Sequence, residues 1–121
     1  MIYNYSGLQI ENLLLPLLMN IINRKTVVYY TEKYPNAKNQ LLTWYNELLK
    51  HEFTNFNELK GVYGNASIVN NQRVVFNIKG NEYRLIVSVN FRRKASYIIW
   101  FGTHKEYDKI NVATIPYNLN L

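Results

Sequence analysis

The apolar and polar positions change period once, near residue 66, and the change divides the chain into a helical half and a stranded half. Ala37, Leu41, Trp44, Tyr45, Leu48 and Leu49 recur at three-to-four spacing, the signature of a helix with one buried stripe. Lys38, Asn39, Thr43, Glu47 and Lys50 fall largely off that stripe. The spacing predicts a helix over 37–51 capped by Asn36, and its aromatic residues belong to the core rather than to a cofactor pocket. Ahead of it, 25–34 predicts a shorter helix that stops before Pro35, because the residue preceding a proline avoids the helical region. Behind it, Thr54 is placed to cap a third short helix through about Val62, with Glu58 near its first turn and Gly61 and Gly64 marking its end. Residues 19–24 read as a first strand.

From Ala66 the period is two. Residues 66–69 make a short strand. In 73–79, Val74, Phe76 and Ile78 alternate with Arg73, Val75, Asn77 and Lys79, and in 82–90 Tyr83, Leu85, Val87 and Val89 continue the first set. Gly80-Asn81 between them suits a two-residue hairpin loop of the primed type. That loop sets the pairs Lys79–Glu82, Asn77–Arg84, Val75–Ile86 and Arg73–Ser88. A third strand, 96–101, follows the basic loop Phe91-Arg92-Arg93-Lys94. Helices followed by an antiparallel meander make an α+β domain. The pairing gathers Arg73, Asn77, Lys79, Glu82, Arg84 and Ser88 on one sheet face and leaves an almost wholly apolar face for the helices.

The first eighteen residues do not fit this pattern. The run Leu13-Leu14-Leu15-Pro16-Leu17-Leu18 is too short to span a bilayer, and Pro16 would interrupt a helix. No Lys or Arg precedes it and no small-residue cleavage site follows, so it does not read as a secretory signal. The domain is expected to begin at Met19. Residues 1–18 are then an extension, arising either from a start codon placed too far upstream or as an extra packing element. Residues 19–112 are the domain and 113–121 a tail.

The 121 residues are one domain's length. At 48% apolar and 18% charged residues, the chain is globular and not disordered. With no cysteine, disulfide scaffolds, thiolate zinc sites and thiol nucleophiles are excluded. The two histidines, His51 and His104, are too few for a His-rich metal cage, and neither a metal nor a cofactor is expected. The net charge of +6 points to a polyanion partner, most often nucleic acid. That excess lies in residues 60–109, which hold nine basic and three acidic residues. The 11 tyrosines are suited to stacking on bases, although Tyr also replaces Phe at half-buried sheet positions.

A basic, partly polar sheet face suits a phosphate chain lying across it; the pattern alone favours the plainer reading, the solvated side of an antiparallel sheet. Directly after the last strand, Gly102-Thr103-His104-Lys105-Glu106-Tyr107-Asp108-Lys109 brings together an imidazole, a phenol, two ammonium groups and two carboxylates. Imidazole is the natural proton carrier near neutral pH. His51, at a helix end between Lys50 and Glu52, is expected to be solvated.

The stretch from Asn71 to Val87, the segment Phe101-Gly102-Thr103-His104-Lys105-Glu106-Tyr107-Asp108-Lys109-Ile110, and upstream Trp44-Tyr45 with Phe56-Asn57-Glu58-Leu59-Lys60 resemble the HigB family of type II toxin–antitoxin toxins, over roughly residues 19–112. The resemblance implies a RelE-like fold, with N-terminal helices packed on a small, mostly antiparallel twisted sheet. It also implies messenger-RNA endonuclease activity, generally on translating ribosomes, and neutralisation by a HigA-type antitoxin carrying a helix-turn-helix domain. The group's Arg in a Tyr-Arg-hydrophobic strand motif matches Tyr83-Arg84-Leu85, its Lys on the preceding strand matches Lys79, and its basic or His residue and Tyr after the last strand match His104 and Tyr107.

Cleavage through the ribose 2′-OH needs a base, cations for the developing phosphorane charge, and an acid for the 5′-oxygen. On that scheme Arg84 and Lys79 meet the scissile phosphate with Arg73 in support, His104 is the general acid or base, and Tyr107 stacks or transfers a proton. Lys60, Asn77, Arg92, Arg93, Lys94 and Lys105 would hold flanking RNA or ribosomal RNA. The expected location is the cytoplasm. The rival readings are a ParE-like toxin acting on DNA gyrase with the same fold, and an RNA-binding module without chemistry. A membrane-associated protein using 13–18 is weaker, for want of length and flanking charge.

Overall fold

The computed structural model describes residues 20–22 and 24–117. The expected extension over 1–18 and the last residues of the expected tail lie outside the described residues. The chain opens with β1 (Asn20–Ile22), α1 (Arg24–Lys33) and α2 (Lys38–Leu48), and α3 spans Phe56–Val62. The stranded half follows as β2 (Ser67–Val69), β3 (Arg73–Ile78), β4 (Tyr83–Asn90) and β5 (Ala95–Thr103), and one helical turn, α4 (His104–Tyr107), ends the series. The five strands form one sheet in the order β1-β5-β4-β3-β2, antiparallel except for β1, which pairs parallel with β5 at one edge. This is the expected α+β, RelE-like arrangement.

The hairpin register matches the sequence reading, with Asn77 opposite Arg84, Val75 opposite Ile86 and Arg73 opposite Ser88. The Glu82 N–H donates to the Lys79 carbonyl at 3.2 Å and closes the turn. Gly80 there adopts φ 64°, a value that costs little without a Cβ. Capping differs from expectation. Pro35 starts a 3-10 turn, Pro35–Ala37, that feeds α2 with no side-chain cap, so Asn36 lies inside the turn. Asn55 rather than Thr54 caps α3, accepting from the Glu58 N–H at 2.9 Å, while Glu58 accepts from the Thr54 N–H.

The apolar face carries the main core. Val74, Phe76, Leu85, Val87, Ile98 and Phe101 pack against Val27, Leu41, Trp44, Leu48 and Leu59 from the helices. His51 is half-buried and stacks on Phe53 with ring centroids 5.1 Å apart, so it is not the solvated histidine that its polar neighbours suggested.

The opposite face is not the open polar surface that alternation predicts. Val75, Ile86 and Ile99 form a second core under Trp100, Tyr107, Ile110, Val112, Ile115 and Tyr117. Val75 and Ile86 face each other here by ordinary alternation, and a register shift in β5 sets Val87 opposite Ile98 and Ile86 opposite Trp100. The bulged Ile99 joins Trp100 on this face, and the chain after α4 then folds back across it.

Candidate functional site

Three elements meet where β5 runs into α4. Arg84 is the second residue of β4, opposite Gly102 of β5. His104 and Tyr107 are the first and last residues of α4. The His104 N–H donates to the Glu82 carbonyl at 2.9 Å, tying the turn of the hairpin to the start of α4. The guanidinium of Arg84 donates through Nη1 to the carbonyls of Tyr83 (3.1 Å) and Asn81 (3.3 Å), and through Nη2 to Asn81 Oδ1 at 2.6 Å. The same Nη2 lies 3.5 Å from His104 Nδ1, and the guanidinium carbon lies 5.9 Å from the centre of the Tyr107 ring. On the other side of the imidazole, Nε2 is 3.6 Å from Asp108 Oδ1.

This arrangement selects a tautomer. A guanidinium has no acceptor, so the neutral imidazole presents its Nδ1 lone pair to Arg84 and its Nε2 proton to Asp108. A cation, a proton acceptor and an aromatic ring then border one partly exposed patch. Asn81 and Asp108, to which the sequence reading gave no site role, belong to the patch: Asn81 orients the guanidinium and Asp108 faces the imidazole. The i, i+4 spacing of His104 and Asp108 on one helical turn was the available signal for the second.

Not every predicted site residue converges here. Lys79 has φ 55°, which breaks the strand's alternation and turns the side chain to the helix layer. Its Nζ donates to the Asn36 carbonyl at 3.1 Å and sits 3.7 Å from Glu82. It also lines a cleft of about 350 Å³ between α2 and β3, with Asn39, Gln40, Thr43 and Glu47. Lys79 therefore does not share a face with Arg84, contrary to the pairing argument. Arg73 donates to the Val112 carbonyl at 2.9 Å, four residues down the ladder from Asn77 and Arg84 and so roughly 13 Å away. Lys60 is tied to the carbonyls of Gly64 and Ala66. Arg92, Arg93 and Lys94 occupy the loop at the far end of β4, while Asn77 and Lys105 are exposed near the patch.

Next to the patch, Glu106 gathers three hydrogen bonds on one oxygen. Its Oε1 accepts from the Thr103 N–H at 2.9 Å, from the Thr103 hydroxyl at 3.1 Å and from the Tyr34 hydroxyl at 2.8 Å. The Thr103 backbone bond, then the Tyr34 bond, hold this carboxyl below the usual carboxylate range. Burial, then the bond to Glu106, push the Tyr34 phenol far up. Among the described residues no three His, Asp or Glu side chains converge to hold an ion, and no helix is long and apolar enough to cross a membrane.

Fold and site together define a small α+β protein of RelE-like architecture with a cationic patch equipped to move a proton. The HigB toxin family model, described as the RelE-like toxic component of a toxin–antitoxin system, matches residues 37–110. The chain belongs to that family. It is 35% identical over 92 residues to the mRNA interferase toxin HigB of Escherichia coli (strain K12), covering 74% of this chain and 88% of that one. The mRNA interferase HigB of Shigella flexneri matches to the same extent. That of Escherichia coli O6:H1 is 28% identical over 94 residues, covering 76% of this chain and 91% of the other.

Proposed function

We propose that the chain is the toxin of a toxin–antitoxin pair and an endoribonuclease that cleaves messenger RNA, acting in the cytoplasm. Support comes from the curated relatives, which are named mRNA interferases, and from one contact, the 3.5 Å approach of Arg84 Nη2 to His104 Nδ1. A phosphate entering this contact meets a guanidinium donor and a proton-transferring nitrogen together. In the reaction the ribose 2′-oxygen bonds to the adjacent phosphorus as the P–O5′ bond breaks, leaving a 2′,3′-cyclic phosphate and a 5′-hydroxyl. The 2′-OH proton passes to a base, and an acid supplies the proton for O5′. His104 Nδ1 carries one transfer, and the Tyr107 phenol is available for the other or for stacking on a base. Arg84 counters the charge that grows on the phosphorane.

Lys105 and Asn77 flank the patch and contact the same RNA strand. Arg92, Arg93 and Lys94 lie a full strand away, roughly 25 Å for the eight residues of β4, too far to touch the nucleotides beside the scissile bond. They meet a separate polyanion, which on a translating ribosome is ribosomal RNA. A HigA-type helix-turn-helix antitoxin neutralises the toxin.

The test is to map RNA ends after induction of wild type, Arg84→Ala and His104→Ala. Wild type should create new 5′-hydroxyl ends in messages, and each variant should lose about 10²–10⁴-fold of that cleavage while staying folded and able to bind its antitoxin. New ends at wild-type levels in both variants would overturn the site, and growth arrest without new ends would favour a gyrase-directed toxin.

A further inference from the structure

The patch residues His104 and Tyr107 stand on α4, which has four residues and no buried side chain. One turn of helix is not stable alone, since nucleation fixes three residues for a single hydrogen bond. Something outside it must set where the imidazole and phenol point. Its own bonds answer part of this. Thr103 and Glu106 form a reciprocal capping box, each side chain accepting from the other's backbone N–H. That box settles the local turn but not its position over the sheet.

The His104 N–H bond to the Glu82 carbonyl fixes the start of the turn on the sheet, and a second hold, from the helix layer, comes from Tyr34. It lies in the helix layer just after α1, wedged edge-on against Tyr83 of β4 and Phe101 of β5, with centroids 5.7 and 5.6 Å away. These rings fix the direction of its hydroxyl, which donates to Glu106 Oε1 at 2.8 Å across 72 residues of chain. The side chains of Tyr34 and Glu106 bond to each other and to Thr103 rather than to Arg84, His104 or Tyr107, and neither is needed for phosphate contact. We propose that Tyr34 and Glu106 are positioning residues: the phenol, held by the core, clamps the capped turn and so sets His104 and Tyr107 against Arg84. Two layers of the protein are joined through one carboxylate oxygen that accepts three hydrogen bonds.

This rests on the reading of Arg84 and His104 as the cleaving pair, and the two are separable. Hydrogen exchange of amides 103–108, measured on the full chain, needs no substrate. Exchange there should rise at least about tenfold in Tyr34→Phe, which removes the bond between the layers, and in Glu106→Ala, which removes that bond and the two from Thr103, with the rest of the protein unchanged. Glu106→Gln should restore protection, since its amide oxygen can accept the same bonds. In single-turnover cleavage of a message on programmed ribosomes, Tyr34→Phe and Glu106→Ala should lower the maximal rate by about 10–100-fold with the half-saturating concentration within twofold. The double variant should lose no more than the worse single one.

Unchanged exchange and unchanged cleavage in Tyr34→Phe, with His104→Ala inactive, would overturn the clamp and leave the cleaving pair standing. Raised exchange in a protein whose wild type cuts no RNA would overturn the cleaving pair and leave the clamp. Additive losses in the double variant would show that the two residues act separately, against the proposal.

Discussion

Glu106 links a pH dependence to the patch. Its carboxyl titrates below the ordinary range because the folded protein bonds the carboxylate. A group depressed in this way contributes stability above its unfolded value, near 4.3, and loses it as pH falls through the folded value. Exchange of amides 103–108 should therefore rise as pH falls from 6 to 3, after correction for intrinsic exchange, and Glu106→Gln should flatten that dependence. Gly102 sets a second constraint at this scale. A Cβ there would lie 2.6 Å from Trp100 Cη2 and 2.9 Å from Glu106 Oε1, closer than side chains pack. Gly102→Ala should displace the indole or the carboxylate, lowering thermal stability by about 1–3 kcal/mol and reducing cleavage with it. The need for glycine was not legible in the sequence, because the atoms it would meet come from α4 and from the bulged stretch of β5. His104 and Tyr107 were legible as a cluster and Arg84 was grouped with them through the family resemblance, but that Lys79 turns away to Asn36 was not legible.

At the scale of elements, the stranded half could be read closely and the helical half only in outline. Alternation over 73–79 and 82–90 and the Gly80-Asn81 turn determine the β3–β4 register, because a slip by one residue would send Val74 and Leu85 to the wrong face. The bulge at Ile99 leaves no such mark, since Tyr97 to Phe101 is a continuous apolar run with either alternation available. The second core was unforeseen because the residues that cover Val75 and Ile86 come from 107–117, far along the chain. Caps were missed by one position, where two adjacent residues, Thr54 and Asn55, both have the right chemistry and backbone direction decides. Asn55→Ala should cost about 1 kcal/mol in a denaturant titration, and Thr54→Ala distinctly less, since Thr54 contributes its backbone N–H to Glu58.

Taken whole, the molecule has a sheet buried on both sides, by three helices on one and by residues 107–117 on the other. Ile115 and Tyr117, from the first half of the expected tail, pack on the second core. Ile115→Asp should place a charge against Val75, Ile86 and Ile99 and lower stability by several kcal/mol, measured as a shift of the unfolding midpoint. Phe101→Ala, which empties the junction of Tyr30, Tyr34 and Tyr83, should cost about 3–5 kcal/mol. Arg92, Arg93 and Lys94 sit in the loop at the opposite end of β4 from Arg84, so the basic residues are not gathered at one site.

The strand order has a consequence for timing. β5 lies between β1 and β4, yet it is the last strand of the sheet to be made. During synthesis the first strand has no neighbour to pair with, and Arg84 has no imidazole beside it, until residues 95–104 have left the ribosome. The Arg84–His104 pair proposed above is thus assembled late, once nearly all of the sheet has been made.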